Sequence, residues 1–317
     1  MKNKTGEEYA RSKYHEFRVR EAGTLLDFLM TAMDGISRNK AKDILAGHGV
    51  TVDRRQTTRY DEPLTPGQVV RVMRHKGGTQ LQNKYLNIVY EDKDLVVVEK
   101  AVGMLSMAAT AKQYSAKEVL DEYFERRHFK CTAHVVHRLD RDTSGLMLYA
   151  KSLEMAQILE DNWHDIVFDR RYVAVLDGVV EKEGGTIESW LKDNKAYITY
   201  SSPTDPGGGK YAVTHYHLLR HTERASLVEF KLETGRKNQI RVHAQLIGHP
   251  ILGDHKYGYL ATADSEARPV ADPVGRLCLH AYRLHFYHPR TGERMQFDSP
   301  VPREFRRIMQ WKEESEE

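Results

Sequence analysis

Cysteine is scarce, with only Cys131 and Cys278 in 317 residues. Two thiols exclude a disulfide framework and a four-cysteine zinc site and fit a reducing compartment. Both are expected to be buried small side chains. Long apolar runs are also lacking. No stretch approaches the roughly 20 residues needed to cross a bilayer, and the start, Met1-Lys2-Asn3-Lys4-Thr5, leads into charges rather than an apolar signal core, so a cytoplasmic protein without membrane contact is expected. Nor does one sign of charge dominate. The 48 Lys and Arg stand against 45 Asp and Glu, a net +3. Their distribution is uneven: residues 17–76 carry 11 basic and 7 acidic side chains, whereas residues 77–317 carry 33 and 35. One short stretch thus holds more than the whole surplus, partly masked by the acidic tail Glu313, Glu314, Glu316 and Glu317. With 40% apolar residues, the chain is long enough to bury the cores of two domains.

After Thr24, the residues Leu25, Leu29 and Met33 fall four apart, giving one face of a short helix. Ser37 can cap a second helix in which Ala41, Ile44 and Leu45 repeat at helical spacing, with Gly47 and Gly49 to end it. Arg38, Lys40 and Lys42 lie off that apolar stripe. A short strand, Val50-Thr51-Val52, a polar turn, Asp53-Arg54-Arg55-Gln56, and a strand-like Val69-Val70-Arg71-Val72 after Pro66-Gly67 complete two helices and a small β-ribbon. Residues 17–75 resemble the S4 RNA-binding domain through Ser37-Arg38-Asn39-Lys40-Ala41-Lys42-Asp43-Ile44-Leu45, Gly49, Val50-Thr51-Val52-Asp53 and Pro66-Gly67-Gln68. That resemblance implies an RNA grip through Arg38, Lys40, Lys42 and Arg54. The alternative is a plain solvated basic face.

Residues 1–16 form an N-terminal extension, and the polar, aperiodic stretch 76–88 is expected to be a linker. A larger domain over 89–311 and an acidic tail over 312–317 follow. Within it, Leu95–Val98, Leu146–Ala150, Tyr172–Leu176 and the alternating Val228, Phe230 and Leu232 read as strands. Ser152 to Asn162 and Asn238 to Ile247 read as helices, the latter stopped by Gly248 and Pro250. The expected class is α+β, without regular βαβ alternation or repeats.

Chemistry concentrates in His134-Val135-Val136-His137-Arg138-Leu139-Asp140-Arg141-Asp142-Thr143-Ser144-Gly145, ahead of an apolar strand. A zinc site on His134 and His137 would need a helix there, which Val135-Val136 and Thr143-Ser144-Gly145 oppose. Ser144 lacks the Gly-x-Ser-x-Gly elbow of a hydrolase. Gly207-Gly208-Gly209-Lys210 is not a phosphate loop and reads as a flexible hairpin tip. Asp140 and Asp142 can be a paired acid and base for glycosidic cleavage, or can simply cap turns.

His137-Arg138-Leu139-Asp140-Arg141-Asp142-Thr143-Ser144-Gly145-Leu146 resembles the active-site motif of the RluA-type pseudouridine synthases. Four further blocks match that family in order: Arg170-Arg171-Tyr172-Val173-Ala174, Leu232 to His243, Gly248-His249-Pro250-Ile251-Leu252-Gly253-Asp254, and Leu279-His280-Ala281 with His288-Pro289-Arg290-Thr291-Gly292. Two positions depart from the pattern: Ala101 stands where the family has Pro, and Asn238 where it has His. The resemblance implies a catalytic domain built on a mixed, mainly antiparallel sheet with flanking helices, and isomerisation of uridine with neither cofactor nor metal. Asp140 would be the nucleophile or essential carboxylate, Arg241 its cationic partner, and Tyr172 the ring on the target base. Arg138 would occupy the space the base vacates. Arg236 and Lys237 can hold phosphates, while His137 and His243 are expected to be structural. A preceding S4 domain points to large-subunit ribosomal RNA rather than transfer RNA as partner, and a monomer is expected. The rival readings are a non-catalytic RNA-binding ribosome-assembly factor and a uridine or glycoside hydrolase using Asp140 with Asp142.

Overall fold

The computed structural model describes residues 14–33, 36, 38–46, 49–73, 81, 83–108, 110, 113–260, 268–269 and 271–311. The first unit is built as its apolar spacing requires. Thr24 caps the helix Leu25–Ala32 by accepting from the Asp27 amide at 3.3 Å, which satisfies one of the free N–H groups of the first turn. The second helix, Arg38–Ala46, buries Ala41, Ile44 and Leu45 against Leu25, Leu26 and Leu29. Ser37 and Gly47, expected to bound it, lie outside the described residues.

The expected ribbon is larger than its sequence pattern. It is an antiparallel sheet in the order Tyr14–Arg18, Val69–Met73, Val50–Val52, Arg55–Gln56. Asp53 and Arg54 both take positive φ, 48° and 68°, the two-residue turn whose twist suits a hairpin. Arg55 and Gln56 therefore pair with Val52 and Thr51 instead of belonging to the turn. The first strand begins ahead of the boundary expected at residue 17, because pairing with Val69–Met73, and not its own weak pattern, makes it a strand.

The second unit is an eleven-stranded sheet among the described residues, and it is α+β as expected. Its path runs Thr199–Ser202, Gly184–Asp193, Lys210–His221, Ala225–Leu232, Asp169–Asp177, Leu279–Tyr287, Ser144–Ala150, Leu95–Lys100, Leu86–Glu91. The strands Arg294–Asp298 and His134–Val135 pair off this path. Among the described strands of this sheet, every pairing is antiparallel except that of Ser144 and Gly145 with His280 and Ala281. Leu86–Glu91 occupies the end of the expected linker, since Leu86 and Val89 are buried in the core.

Helices Leu153–Asp161 and Gln239–Leu246 fall where their periodicity placed them, the first capped by Ser152 accepting from the Met155 amide at 3.2 Å. A further helix, Ala116–Arg126, buries Ala116, Val119, Leu120, Tyr123 and Phe124. Two sequence expectations are corrected. Residues 207–209 are not a hairpin tip: the chain passes from Thr199–Ser202 to Lys210–His221, strands lying on opposite sides of Gly184–Asp193. Cys131 is half-buried while Cys278 is buried, because Cys131 packs only at the edge of the main core.

Gly145 sits at the parallel crossing beside the chemistry-bearing segment. Its φ is +120°, and a Cβ there would lie 2.2 Å from the Ala281 carbonyl oxygen. Gly145→Ala is therefore expected to destabilise the fold by more than about 3 kcal/mol, through both strain and backbone collision. Urea denaturation checks this; a loss below about 1 kcal/mol would contradict the close approach.

Candidate active site

The segment 137–143 leaves the sheet as a loop that is fastened from several sides. Ser106 Oγ donates to the Leu139 carbonyl at 2.7 Å and accepts from the Leu139 amide at 3.1 Å. The Thr143 amide donates to the Asp140 carbonyl at 3.1 Å. The Gly103 amide and Lys100 Nζ both donate to the Arg141 carbonyl, at 2.9 and 3.2 Å. Lys100 is fully buried and also donates to the Ala101 and Met104 carbonyls at 3.0 and 2.9 Å. Burial lowers its pKa to about 8, against the attraction of Asp142 and Asp140. Ala101 uses its amide to bond the Tyr85 carbonyl at 2.8 Å, a donor that the family's proline lacks.

Held this way, Asp140 enters a narrow pocket with Arg138, Tyr172, Arg236, Asn238 and Arg241. Its side chain is 36% exposed, with Oδ2 3.8 Å from Arg241 Nη1. Burial raises the Asp140 pKa above its ordinary value, against the pull of Arg241, Arg138 and Lys100. A carboxylate so placed is incompletely solvated, with the Arg241, Arg138 and Lys100 charges favouring its ionised form.

Arg241 stands on the helix Gln239–Leu246, is 8% exposed, and makes its close ion pair elsewhere than the sequence pattern implies. Its Nε and Nη2 donate to both oxygens of Asp254 at 2.7 Å each. That fork fixes the guanidinium plane and leaves Nη1 directed toward Asp140. Burial opposes its charge, but the Asp254 bonds outweigh this and raise its pKa. Asp254 itself accepts from the Lys256 and Tyr257 amides at 2.9 Å. Asn238 begins the helix in the left-handed region at φ 53°, a conformation asparagine tolerates. Its Oδ1 accepts from Arg241 at 3.3 Å while its Nδ2 donates to the Tyr257 hydroxyl at 2.9 Å.

Tyr172, on the strand Asp169–Asp177, is 5% exposed and lines the same pocket. Arg138 and Arg236 are exposed at the rim. Arg236 donates from Nε to the Tyr211 carbonyl at 3.0 Å, whereas Lys237 is turned away into an ion pair with Asp193 at 2.6 Å. The cavity that Arg138 and Arg236 border measures about 60 Å³ and opens to solvent.

The structure brings Asp140, Tyr172, Arg241, Arg138 and Arg236 to one pocket. Nothing in the sequence pattern singles out Asp254 or Lys100, although Asp254 ends the block beginning at Gly248 and Lys100 directly precedes Ala101. Asp142 instead pairs with Arg141 at 3.1 Å on the surface. His134 lies on a strand, and His137 accepts the Leu148 amide at 2.9 Å. Burial and then Arg170 push His137 down to about 3, and burial pushes His243 down to about 4, so both imidazoles are neutral. No cluster of three or more His, Cys, Asp or Glu suited to a metal occurs among the described residues.

In the first unit, Arg38, Lys42 and Arg54 are exposed, and Lys40's side chain lies outside the described residues. A cleft of about 590 Å³ between the two units is lined by Lys42, Tyr60, Lys84, Tyr85, Arg303 and Arg306. Among the described residues no helix is long and apolar enough to span a membrane.

The RNA pseudouridylate synthase family model matches residues 94–246, the stretch that carries Asp140, Tyr172 and Arg241. An uncharacterized RNA pseudouridine synthase of Aquifex aeolicus is 30% identical over 324 residues, covering 96% of this chain and 98% of its own. Ribosomal large subunit pseudouridine synthase D of Vibrio cholerae is 33% identical over 278 residues, covering 84% of each. Among solved structures, human RNA pseudouridylate synthase domain containing 4 superposes with a TM-score of 0.56 at 28% identity, covering 69% of this chain and 89% of that one. Similarity at this level across most of both chains places the protein in the RNA pseudouridine synthase family of isomerases.

Proposed function

We propose that this protein is a cytoplasmic RluA-type enzyme that converts specific uridines to pseudouridine in large-subunit ribosomal RNA, with Asp140 as the essential carboxylate. The observation that carries the reading is the partly desolvated Asp140 carboxylate 3.8 Å from a guanidinium locked by Asp254, in the pocket that Tyr172 lines. The target base must leave its stack to reach that carboxylate, at a cost of a few kcal/mol. Arg138, exposed beside Asp140, is suited to fill the vacated space.

In the reaction the bond from ribose C1′ to N1 breaks, the base rotates, and a bond from C1′ to C5 forms. C5 gives up its proton and N1 ends with one, so atoms balance and no co-reactant is consumed. Asp140 serves either as nucleophile at C1′ or by assisting elimination to a glycal. Both routes need one ionised carboxylate, with Arg241 restraining it and Tyr172 against the base.

The ribosomal target rests on relatives named for the ribosomal large subunit. Residues 17–75, resembling an S4 domain, supply a second RNA grip through exposed Arg38, Lys42 and Arg54. The cleft carrying Lys42, Lys84, Arg303 and Arg306 continues that positive surface onto the catalytic unit. The test is incubation of the purified protein with unmodified large-subunit ribosomal RNA and, separately, transfer RNA, followed by mass spectrometry for pseudouridine. Pseudouridine at defined positions of the ribosomal RNA is expected, with no free uracil. Released uracil would instead indicate a hydrolase, and unchanged RNA a binding protein.

A further inference from the structure

The hairpin strands beside the pocket carry an unusual outward face. Strands Thr199–Ser202, Gly184–Asp193 and Lys210–His221 are neighbours, and the register sets Trp190 opposite both Ser202 and Tyr211, and Lys192 opposite Tyr200. Directly opposed residues share a side of the sheet, as do residues two apart on one strand. Trp190, Tyr200, Tyr211, Glu188 and Lys192 therefore lie on one face. The opposite face is buried: Leu191, Ala212 and Thr199 turn inward, with Leu191 and Ala212 packed beside Val242 of the helix Gln239–Leu246.

An antiparallel sheet face turned to water is ordinarily polar. This one exposes Tyr200 at 38% and Tyr211 at 40%, with the Trp190 and Tyr211 rings 5.4 Å apart. Glu188 takes the Tyr211 hydroxyl at 2.8 Å, which fixes the ring without covering it. Lys192 is tied through Nζ to the Pro206 and Gly207 carbonyls, at 3.3 and 2.7 Å, and adds positive charge beside Tyr200.

Two chains of contacts connect this face to the pocket. Arg236, which lines the pocket, donates to the Tyr211 carbonyl at 3.0 Å. Thr199, next to Tyr200, donates its amide at 3.1 Å to the Tyr257 hydroxyl, which also accepts from Asn238, itself bonded to Arg241. The face is thus tied to the pocket through the exposed Arg236 and, inside the protein, through Thr199 and Tyr257. Aromatic rings on adjacent strands beside positive charge are the chemistry that stacks unpaired bases.

We propose that Trp190, Tyr200 and Tyr211 form a stacking platform for unpaired nucleotides that flank the target uridine. This rests on the enzyme's action on RNA and extends it to the RNA's conformation: the substrate is held with neighbouring bases unstacked from their own strand. Neighbouring strands lie about 4.8 Å apart and alternate residues about 7 Å along a strand. Tyr200 and Tyr211, the exposed rings, can take splayed bases, with the half-buried Trp190 ring against Tyr211 on the strand between them. Arg236 sits where the strand passes from the platform to the pocket.

Full-length Tyr200→Ala, Tyr211→Ala and Trp190→Ala, each with its thermal melt, test the platform by fluorescence anisotropy on a fluorescein-labelled single-stranded 12-nucleotide RNA and on an abasic version with the same phosphates. Each ring lost should weaken binding of the base-bearing strand between about fivefold and a hundredfold, and leave the abasic strand unaffected. Trp190→Phe, which keeps a ring should Trp190→Ala unfold, should stay within about threefold of the parent. Equal affinity of folded Tyr200→Ala and Tyr211→Ala for the base-bearing strand would overturn the proposal, as would equal losses on both strands. Asp140→Asn should keep the parent's affinity for the base-bearing strand, whereas a parent protein that binds through these rings yet makes no pseudouridine on any RNA would defeat the catalytic reading and leave the platform standing.

Discussion

Asp140→Asn should abolish pseudouridine formation, lowering turnover by at least about 10⁴-fold, the scale seen when a nucleophile is removed from a working constellation. RNA binding should change by less than about threefold, because the amide keeps the carboxyl's shape. Mass spectrometry of treated ribosomal RNA and a binding isotherm on the same RNA separate the two effects. Measurable product from the Asn variant would remove Asp140 from the chemistry. The same carboxylate sets the acid limb of the reaction. Its pKa is raised by burial against the pull of Arg241, so kcat/KM should fall with decreasing pH through a value above 3.8, the ordinary carboxylate value. A raised carboxylate pKa means the native state pays for the charge at neutral pH. Stability from this group is full below the unfolded pKa and lost as pH rises through the folded one. Asp140→Asn is uncharged at every pH and should melt at or above the parent temperature near pH 7.

Asp254→Ala should strongly destabilise the fold and disable the site together. It removes both oxygens of the fork on Arg241 and the acceptor of the Lys256 and Tyr257 amides. The Asp254 side chain is 0% exposed and that of Arg241 10%, so the guanidinium is left charged without its partner. Loss of one member of such a pair costs about 3–5 kcal/mol. Freed from its fork, Arg241 can close the 3.8 Å gap to Asp140 and tie up the carboxylate. Turnover should therefore fall by about 10²-fold or more even at temperatures where the variant is folded. Urea denaturation and turnover on one preparation check this, and Arg241→Met combined with Asp254→Ala should recover part of the stability without recovering activity. A single Asp254→Ala variant as stable as the parent would show that Arg241 does not depend on the pair.

Much of the site was legible because its residues are close in the chain. The segment His137 to Leu146 displays loop chemistry directly before an apolar strand, and Tyr172 and Arg241 stand in equally recognisable blocks. Asp254 was visible as a letter and not as a partner. Nothing in local spacing tells that a carboxylate after Gly253 folds back thirteen residues onto a helix to clamp an arginine. Lys100 was hidden for a similar reason, since a lysine after an apolar strand reads as a surface residue until three carbonyls converge on it. The helix Ala116–Arg126 is different: Ala116, Val119, Leu120, Tyr123 and Phe124 are at helical spacing, and that signal was present to be found. The misplaced hairpin at 207–209 shows a limit of turn chemistry. Glycines mark a reversal of direction but not which strand the chain pairs with afterwards.

Local order by itself determined the helices capped at Thr24 and Ser152, the strands that alternate or run apolar, and the loop bearing Asp140. Each depends on neighbours a few residues away, through hydrogen bonds and burial that the chain carries with it. Tertiary structure alone decided the order of the strands, the parallel crossing that only Gly145 permits, the fork of Asp254 on Arg241, and the joining of Trp190, Tyr200 and Tyr211 into one face. Those features join residues distant in the chain, and their energies come from burial and charge pairing that exist only once the sheet is assembled.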